Sequence, residues 1–180
     1  MSYRKKQILT MAIVLMVITV SLFAAGTPEQ GLQEFWTLDL KGEEISQEVF
    51  ADNKLNMINV WATYCSPCLT EMPALAELHE EYADQGVNII GLVTDISFTD
   101  QESFSKSIAT AHQIVQMTGA DYMHMIPSED LYNLRLKDLQ VVPETFFVDS
   151  KGNIVGETHY GARDKEAWKS IIESTLELLD

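Results

Sequence analysis

The chain has 180 residues, 46% of them hydrophobic, with 12 Lys and Arg against 27 Asp and Glu. That length fits one compact domain, and the apolar fraction excludes wholesale disorder. Two cysteines exclude a disulfide-dense scaffold and a four-cysteine zinc site, and a net charge of −15 argues against nucleic acid, whose phosphates it would repel.

The charge is unevenly placed. Arg4, Lys5 and Lys6 precede 18 uncharged residues, Ile8 to Ala25. As a helix this run is roughly 27 Å long, close to a hydrocarbon core of about 30 Å. Basic residues on its N-terminal side hold that end in the cytoplasm and place the body outside. Residues 1–25 therefore read as an uncleaved membrane anchor. A cleaved secretory signal ending at Ala24-Ala25-Gly26 is the alternative. Both give an extracytoplasmic body, where disulfide chemistry is permitted. Neither cysteine lies near this segment, which excludes lipid anchoring through a thiol. Residues 26–34 read as a polar tether and 35–180 as the folded domain, with no internal repeat. Beyond residue 25 the body holds nine basic and 27 acidic residues, a net charge of −18 that keeps it soluble and off anionic lipid.

Phe35 to Ile45 alternates apolar and polar residues around Lys41-Gly42, which predicts a short hairpin. Ser46 is placed to cap a short helical turn. Met57 to Ala62 reads as a buried strand. Met72, Leu75, Leu78, His79 and Tyr82 then share one helix face, with Pro73 expected to kink or restart that helix. Val87 to Val93 is a second buried strand. Phe104, Ile108, Ala111 and Ile114 or Val115 mark another amphipathic helix, and Tyr122 to Ile126 a short strand. Ser128 opens a helical stretch to about Leu136. Thr145–Val148 and Ile154–Thr158 read as strands about a turn at Ser150-Lys151-Gly152-Asn153. Asp164 caps a last helix whose inner face is Trp168, Ile171, Ile172, Thr175 and Leu179. Trp36 and Trp168 read as core. Strands alternating with helices, then a closing hairpin and helix, predict a mixed α/β sheet covered on both faces.

Chemistry concentrates at Cys65-Ser66-Pro67-Cys68. A lone C-x-x-C can bind half a zinc site, form a structural disulfide or do redox work. Its place between a strand and a helix sets Cys65 at a helix N-terminus, where free N–H groups and the dipole stabilise a thiolate. Thiolate is the nucleophile of disulfide exchange, and Cys68, one turn on, can attack a mixed disulfide on Cys65. Pro67 suits the first turn because it lacks an N–H that the helix would leave unpaired. Zinc would need two more ligands, and His79, His112, His124 and His159 form no ligand pair. The redox reading is the one that fits.

These residues resemble the thioredoxin superfamily, specifically its membrane-anchored TlpA/ResA/CcmG-type thiol–disulfide oxidoreductases. The likeness rests on Trp61-Ala62-x-x-Cys65-Ser66-Pro67-Cys68, Glu71-Met72-Pro73 and Val142-Pro143-Glu144-Thr145-Phe146-Phe147-Val148-Asp149, and covers about residues 33–178. It implies a thioredoxin fold with an N-terminal β-hairpin extension and a central helical insertion between about Ile96 and Gly119. It implies that Cys65 is the exposed attacking thiol and Cys68 the buried resolving one. Pro143 corresponds to a cis-proline facing the disulfide, with the Val142 backbone free to pair with a substrate strand. Trp61, Tyr64 and Pro67 complete the expected substrate-binding surround. Glu71 matches the acidic residue of the ResA-type pattern. Asn59 stands where ordinary thioredoxins hold a proton-transferring Asp, so Glu71 is expected to take over that work. Tyr64 stands where the family usually has Trp.

The implied activity is reduction of disulfides in exported proteins, apocytochrome c among the candidates, by a monomer fed from a CcdA/DsbD-type membrane electron donor. No soluble cofactor and no metal are implied. A disulfide-forming oxidase is the alternative within enzymes, disfavoured by the uncharged Ser66-Pro67 pair. A non-catalytic binding module or copper chaperone is the alternative outside them. A peroxidase would need T-x-x-C, whereas Thr63 is two residues before Cys65. Glu71 has a plainer reading as a solvated helix residue, and His79 as a packing residue. In Met123-His124-Met125, strand alternation turns both methionines one way and His124 the other, which favours core filling over copper.

Overall fold

The computed structural model describes residues 31–180. The anchor expected over 1–25 and the first part of the tether lie outside the described residues. At the tether's end Leu32 is buried, and its N–H donates to the Gly152 carbonyl at 2.8 Å. A Cβ on Gly152, whose φ is +78°, would sit 2.3 Å from the Leu32 carbonyl oxygen, so only glycine permits this approach. Among the described residues no helix is long and apolar enough to cross a membrane.

The expected hairpin forms from β1 (Trp36–Leu38) and β2 (Glu44–Ser46). Asp39 closes its turn by accepting from the Lys41 and Glu43 N–H groups at 2.8 and 2.9 Å. Ser46 caps the 3₁₀ turn Gln47–Phe50, as expected. Trp36 corrects its reading as core: alternation turns Thr37 inward, and Trp36 is 61% exposed.

The main sheet has the order β5-β4-β3-β6-β7. At its centre β3 (Leu55–Trp61) is buried at every residue, because it has neighbours on both edges and layers on both faces. Parallel to it run β4 (Val87–Val93) and then β5 (His124–Met125); on its other side β6 (Glu144–Asp149) is antiparallel to β3, and β7 (His159–Tyr160) is antiparallel to β6. One face is covered by α1 (Ser66–Tyr82), α2 (Gln101–Thr118) and α4 (Lys165–Leu176). The other is covered by α3 (Glu129–Leu134), the 3₁₀ turn Leu136–Asp138 and the hairpin. Strand parity separates the two cores: Met57 and Trp61 face α1, while Ile58 and Val60 face α3. Asp100, Ser128 and Asp164 cap α2, α3 and α4 through their side chains.

Three expectations are corrected. Pro73 does not restart the helix, and α1 runs unbroken. Its ring lies on the exposed side, where water can satisfy the carbonyl that loses its partner. The strand expected over Ile154–Thr158 is only a bridge from Ile154 to Val148, and pairing resumes in β7. Gly156, at φ +70°, breaks the extended run. Leu179 lies beyond α4 and is 37% exposed rather than on its inner face.

Met123 and Met125 pack on the α3 side, and His124 faces the α1 side, where it is buried beneath Trp61. The His124 Nε2–H donates to the Ala120 carbonyl at 2.9 Å, which leaves Nδ1 to accept the Trp61 indole N–H at 3.1 Å. Tyr122 stacks on the ring with centroids 4.6 Å apart. Gly91 makes the room, since a Cβ there would lie 2.0 Å from His124 Nδ1. Burial pushes the His124 pKa down to about 4. Between that value and the ordinary 6.5 the unfolded chain binds the extra proton, so stability falls as pH drops through this window. The loss amounts to roughly 3 kcal/mol at one pKa unit per 1.36 kcal/mol. Denaturant unfolding of a His124→Gln variant between pH 7 and 4 is expected to lack this component.

Candidate active site

The polypeptide leaves β3 at Trp61 and turns through Ala62-Thr63-Tyr64 into α1. Cys65 is the N-cap of α1, with extended backbone, and its Sγ accepts the Cys68 N–H at 3.2 Å. Pro67 occupies the first turn, where no N–H is needed. Cys65 and Cys68 are joined by a disulfide, with Cα atoms 5.3 Å apart. Cys65 keeps 6% exposure and Cys68 none, so Cys65 is the more open of the pair. The Asp95 carboxylate at the end of β4 accepts the Thr63 N–H at 3.0 Å and also the Thr63 hydroxyl, fixing the turn before Cys65.

The Val142–Pro143 peptide is cis. It brings the Val142 carbonyl oxygen to 3.6 Å from Cys65 Sγ, a contact in which the oxidised sulfur has no proton to donate. Glu144, next along, is buried; its Oε1 accepts from Arg135 Nε and lies 2.8 Å from Arg135 Nη2. Arg135 also reaches the Thr158 hydroxyl at 2.9 Å and lies 4.4 Å over the Phe146 ring. This clamp ties the proline loop to the end of α3.

Glu71 is not a solvated residue. It is 2% exposed and receives three hydrogen bonds. Asn59 Nδ2 donates to Oε1 at 2.9 Å; the Arg163 backbone N–H and the Trp168 indole N–H each donate to Oε2 at 3.0 Å. Strand parity explains the first bond, because Asn59 shares the α1 side of β3 with Met57 and Trp61. Burial holds the Glu71 pKa above its ordinary value, and the three donors and the Arg163 charge oppose that rise without cancelling it. Glu71 also lines a cavity of about 460 Å³ with Thr70, Ala74 and Arg163.

The expected surround is split. Tyr64 is 78% exposed beside Cys65, Pro67 is exposed and Val142 half-buried. Trp61 is wholly buried, so it supports the site from beneath and cannot touch a partner. His79 is half-buried, its Nδ1 accepting the Ile89 N–H at 3.3 Å and its ring set against Tyr122, as a packing residue should be. Asp95, Arg135, Arg163 and the hydrogen-bonding side of Trp168 were not legible in the sequence. A carboxylate at the carboxyl end of a parallel strand is the one local signal that could have found Asp95.

Residues 28–156 match the AhpC/TSA family. The thiol-disulfide oxidoreductase ResA of Halalkalibacterium halodurans is 29% identical over 78% of this chain and 70% of its own length. The thiol:disulfide interchange protein DsbE of Pseudomonas fluorescens biotype C is 30% identical over 77% and 69%. The crystal structure of a thioredoxin-family thiol:disulfide interchange protein from Chlorobium tepidum TLS superposes with a TM-score of 0.67. It covers 84% of this chain and 99% of its own at 20% identity, a likeness of fold.

The Trp168 bond to Glu71 favours the charged carboxylate. Its removal in Trp168→Phe is expected to raise the Glu71 pKa further, by about one to two units for a charge-assisted bond. A carboxyl-carbon NMR titration of the oxidised protein reads this directly, and an unchanged midpoint would refute it.

Proposed function

As the chain belongs to the AhpC/TSA family and is a thiol–disulfide oxidoreductase of the ResA/DsbE type, we propose that it works as a reductase of disulfides in exported proteins. The observation that carries the direction is Glu71, a buried carboxyl one helical turn beyond Cys68, with no charged residue between the cysteines. A strong oxidant owes its potential to a stabilised reduced form. A carboxylate one helical turn from Cys68 works against a thiolate there and favours the oxidised protein, which is the product of a reductase. The basic start and uncharged run of residues 4–25 support a tether that holds the domain outside the membrane. A CcdA/DsbD-type membrane protein is then the source of electrons, and apocytochrome c is one candidate substrate.

The reaction has two exchanges. The Cys65 thiolate attacks one sulfur of the substrate disulfide; the other leaves as a thiolate and takes a proton from water. The Cys68 thiol passes its proton to Glu71. The resulting thiolate attacks Cys65 Sγ, closing the Cys65–Cys68 disulfide and expelling the second substrate sulfur, which is protonated in turn. Two electrons pass from the cysteine pair to the substrate. The Val142 backbone, beside Cys65, offers an edge on which the substrate strand pairs while this happens.

A redox titration against glutathione or dithiothreitol tests the direction. A potential below roughly −220 mV is expected, and one near about −120 mV would make the protein an oxidant. A Cys68→Ser variant is expected to accumulate a mixed disulfide through Cys65, since the second exchange is blocked. Failure to trap any adduct with a disulfide-bearing apocytochrome or a model peptide would rule out the two-step scheme for those substrates.

A further inference from the structure

The side-chain amide of Asn59 is bonded at one end only. Its Nδ2 donates to Glu71 Oε1 at 2.9 Å and to Thr145 Oγ1 at 3.0 Å. Its Oδ1 is buried and without a partner. Asn59 and Thr145 are directly opposed on β3 and β6, so the register holds the two side chains together. A buried carbonyl oxygen left unpaired costs free energy and calls for an explanation.

The two partners of Nδ2 supply it. Thr145 bears a hydroxyl, which accepts now and can donate instead. Glu71 accepts while ionised, and on gaining a proton it becomes a donor at the same oxygen. If the amide turns through half a circle, Oδ1 takes the place of Nδ2 and accepts from both. Two hydrogen bonds exist before and two after. Turning the amide breaks no bond at its far end, and it sets the two N–H protons on the side where Oδ1 now has no partner.

We infer that Asn59 is a positioning residue whose amide reverses as Glu71 gains or loses its proton, with Thr145 as the pivot partner that serves both orientations. This rests on the proton traffic through Glu71 proposed above. The consequence is specific to an amide at this position. A fixed donor would stabilise the carboxylate alone, and an acceptor the acid alone. A reversing amide serves both, so Glu71 can take up and release a proton with its hydrogen bonds kept. The charges around it are Arg163, before α4; Glu77, Asp164 and Lys165 around the same cavity; and the Tyr122 hydroxyl, close enough to sense the Glu71 charge. None of them hydrogen-bonds to the Asn59 amide among the described residues.

Proton–nitrogen NMR of the oxidised full-length chain in detergent, labelled at asparagine nitrogen, tests this against pH. Above the Glu71 midpoint both Asn59 Nδ2 protons are expected far downfield, as bonded protons are. Below it both should move upfield together as they swing to the unpartnered side, with the midpoint of the Glu71 carboxyl carbon. In Glu71→Gln the Asn59 signals are expected not to titrate. As a second measure, Asn59→Leu is expected to raise the proton affinity of Glu71 by clearly less than the roughly tenfold or more that loss of a fixed donor would give, and a full tenfold rise would count against reversal. A Glu71 carboxyl that titrates while the Asn59 protons stay downfield overturns the inference and leaves the proton role standing. A pH profile of disulfide exchange unaltered in Glu71→Gln overturns that role and the inference with it.

Discussion

The site depends on one buried carboxyl and the three groups that hold it. Glu71 is carried by α1, but its hydrogen bonds come from β3, from the segment before α4 and from α4 itself. A carboxyl taken out of water with no partners would be costly enough to unsettle the helix that bears it. Bonded as it is, it joins the central strand to α1 and α4. The pull of burial against the pull of the donors leaves its proton affinity raised. That balance sets a titrating group one helical turn from Cys68.

Around this point the reactive elements are supported from several sides. Asp95 fixes the turn that presents Cys65, and Trp61 fills the space beneath it, held by a neutral histidine. The Arg135–Glu144 pair, buried and bonded, anchors the strand that follows cis Pro143. These supports lie on both faces of the sheet. The disulfide, the proline loop and the acid are therefore placed by packing at long range, while each makes only short local contacts. Tyr64, Pro67 and the partly open Cys65 are the parts left facing outward.

Local order was largely legible from local pattern. Caps at Ser46, Ser128 and Asp164, the alternation around Met123-His124-Met125 and the largely apolar run of β3 each follow from interactions within a few residues, and each stands in the structure. The misplacements have one kind of cause. Trp36 reads as core by composition but falls on the outward phase of a three-residue strand. Pro73 reads as a break, yet it lies on a wet face where the lost bond is tolerated. Ile154–Thr158 reads as a strand by side-chain type, and the backbone at Gly156 interrupts it.

By itself the sequence determined the chemistry on offer: two thiols spaced by one helical turn, a proline to begin the helix, an acid one turn further on and a second proline far downstream. The first three follow from spacing within a single element, and the significance of Pro143 follows from the family resemblance. Only the tertiary structure decided that Glu71 is buried, that Asn59, Arg163 and Trp168 are its partners, and that Trp61 is a support rather than a contact surface. These residues meet across gaps of 12 to 97 positions, through strand register and helix packing. Whether a carboxyl is solvated or desolvated depends on what those distant segments bring against it, and no pattern within α1 records that.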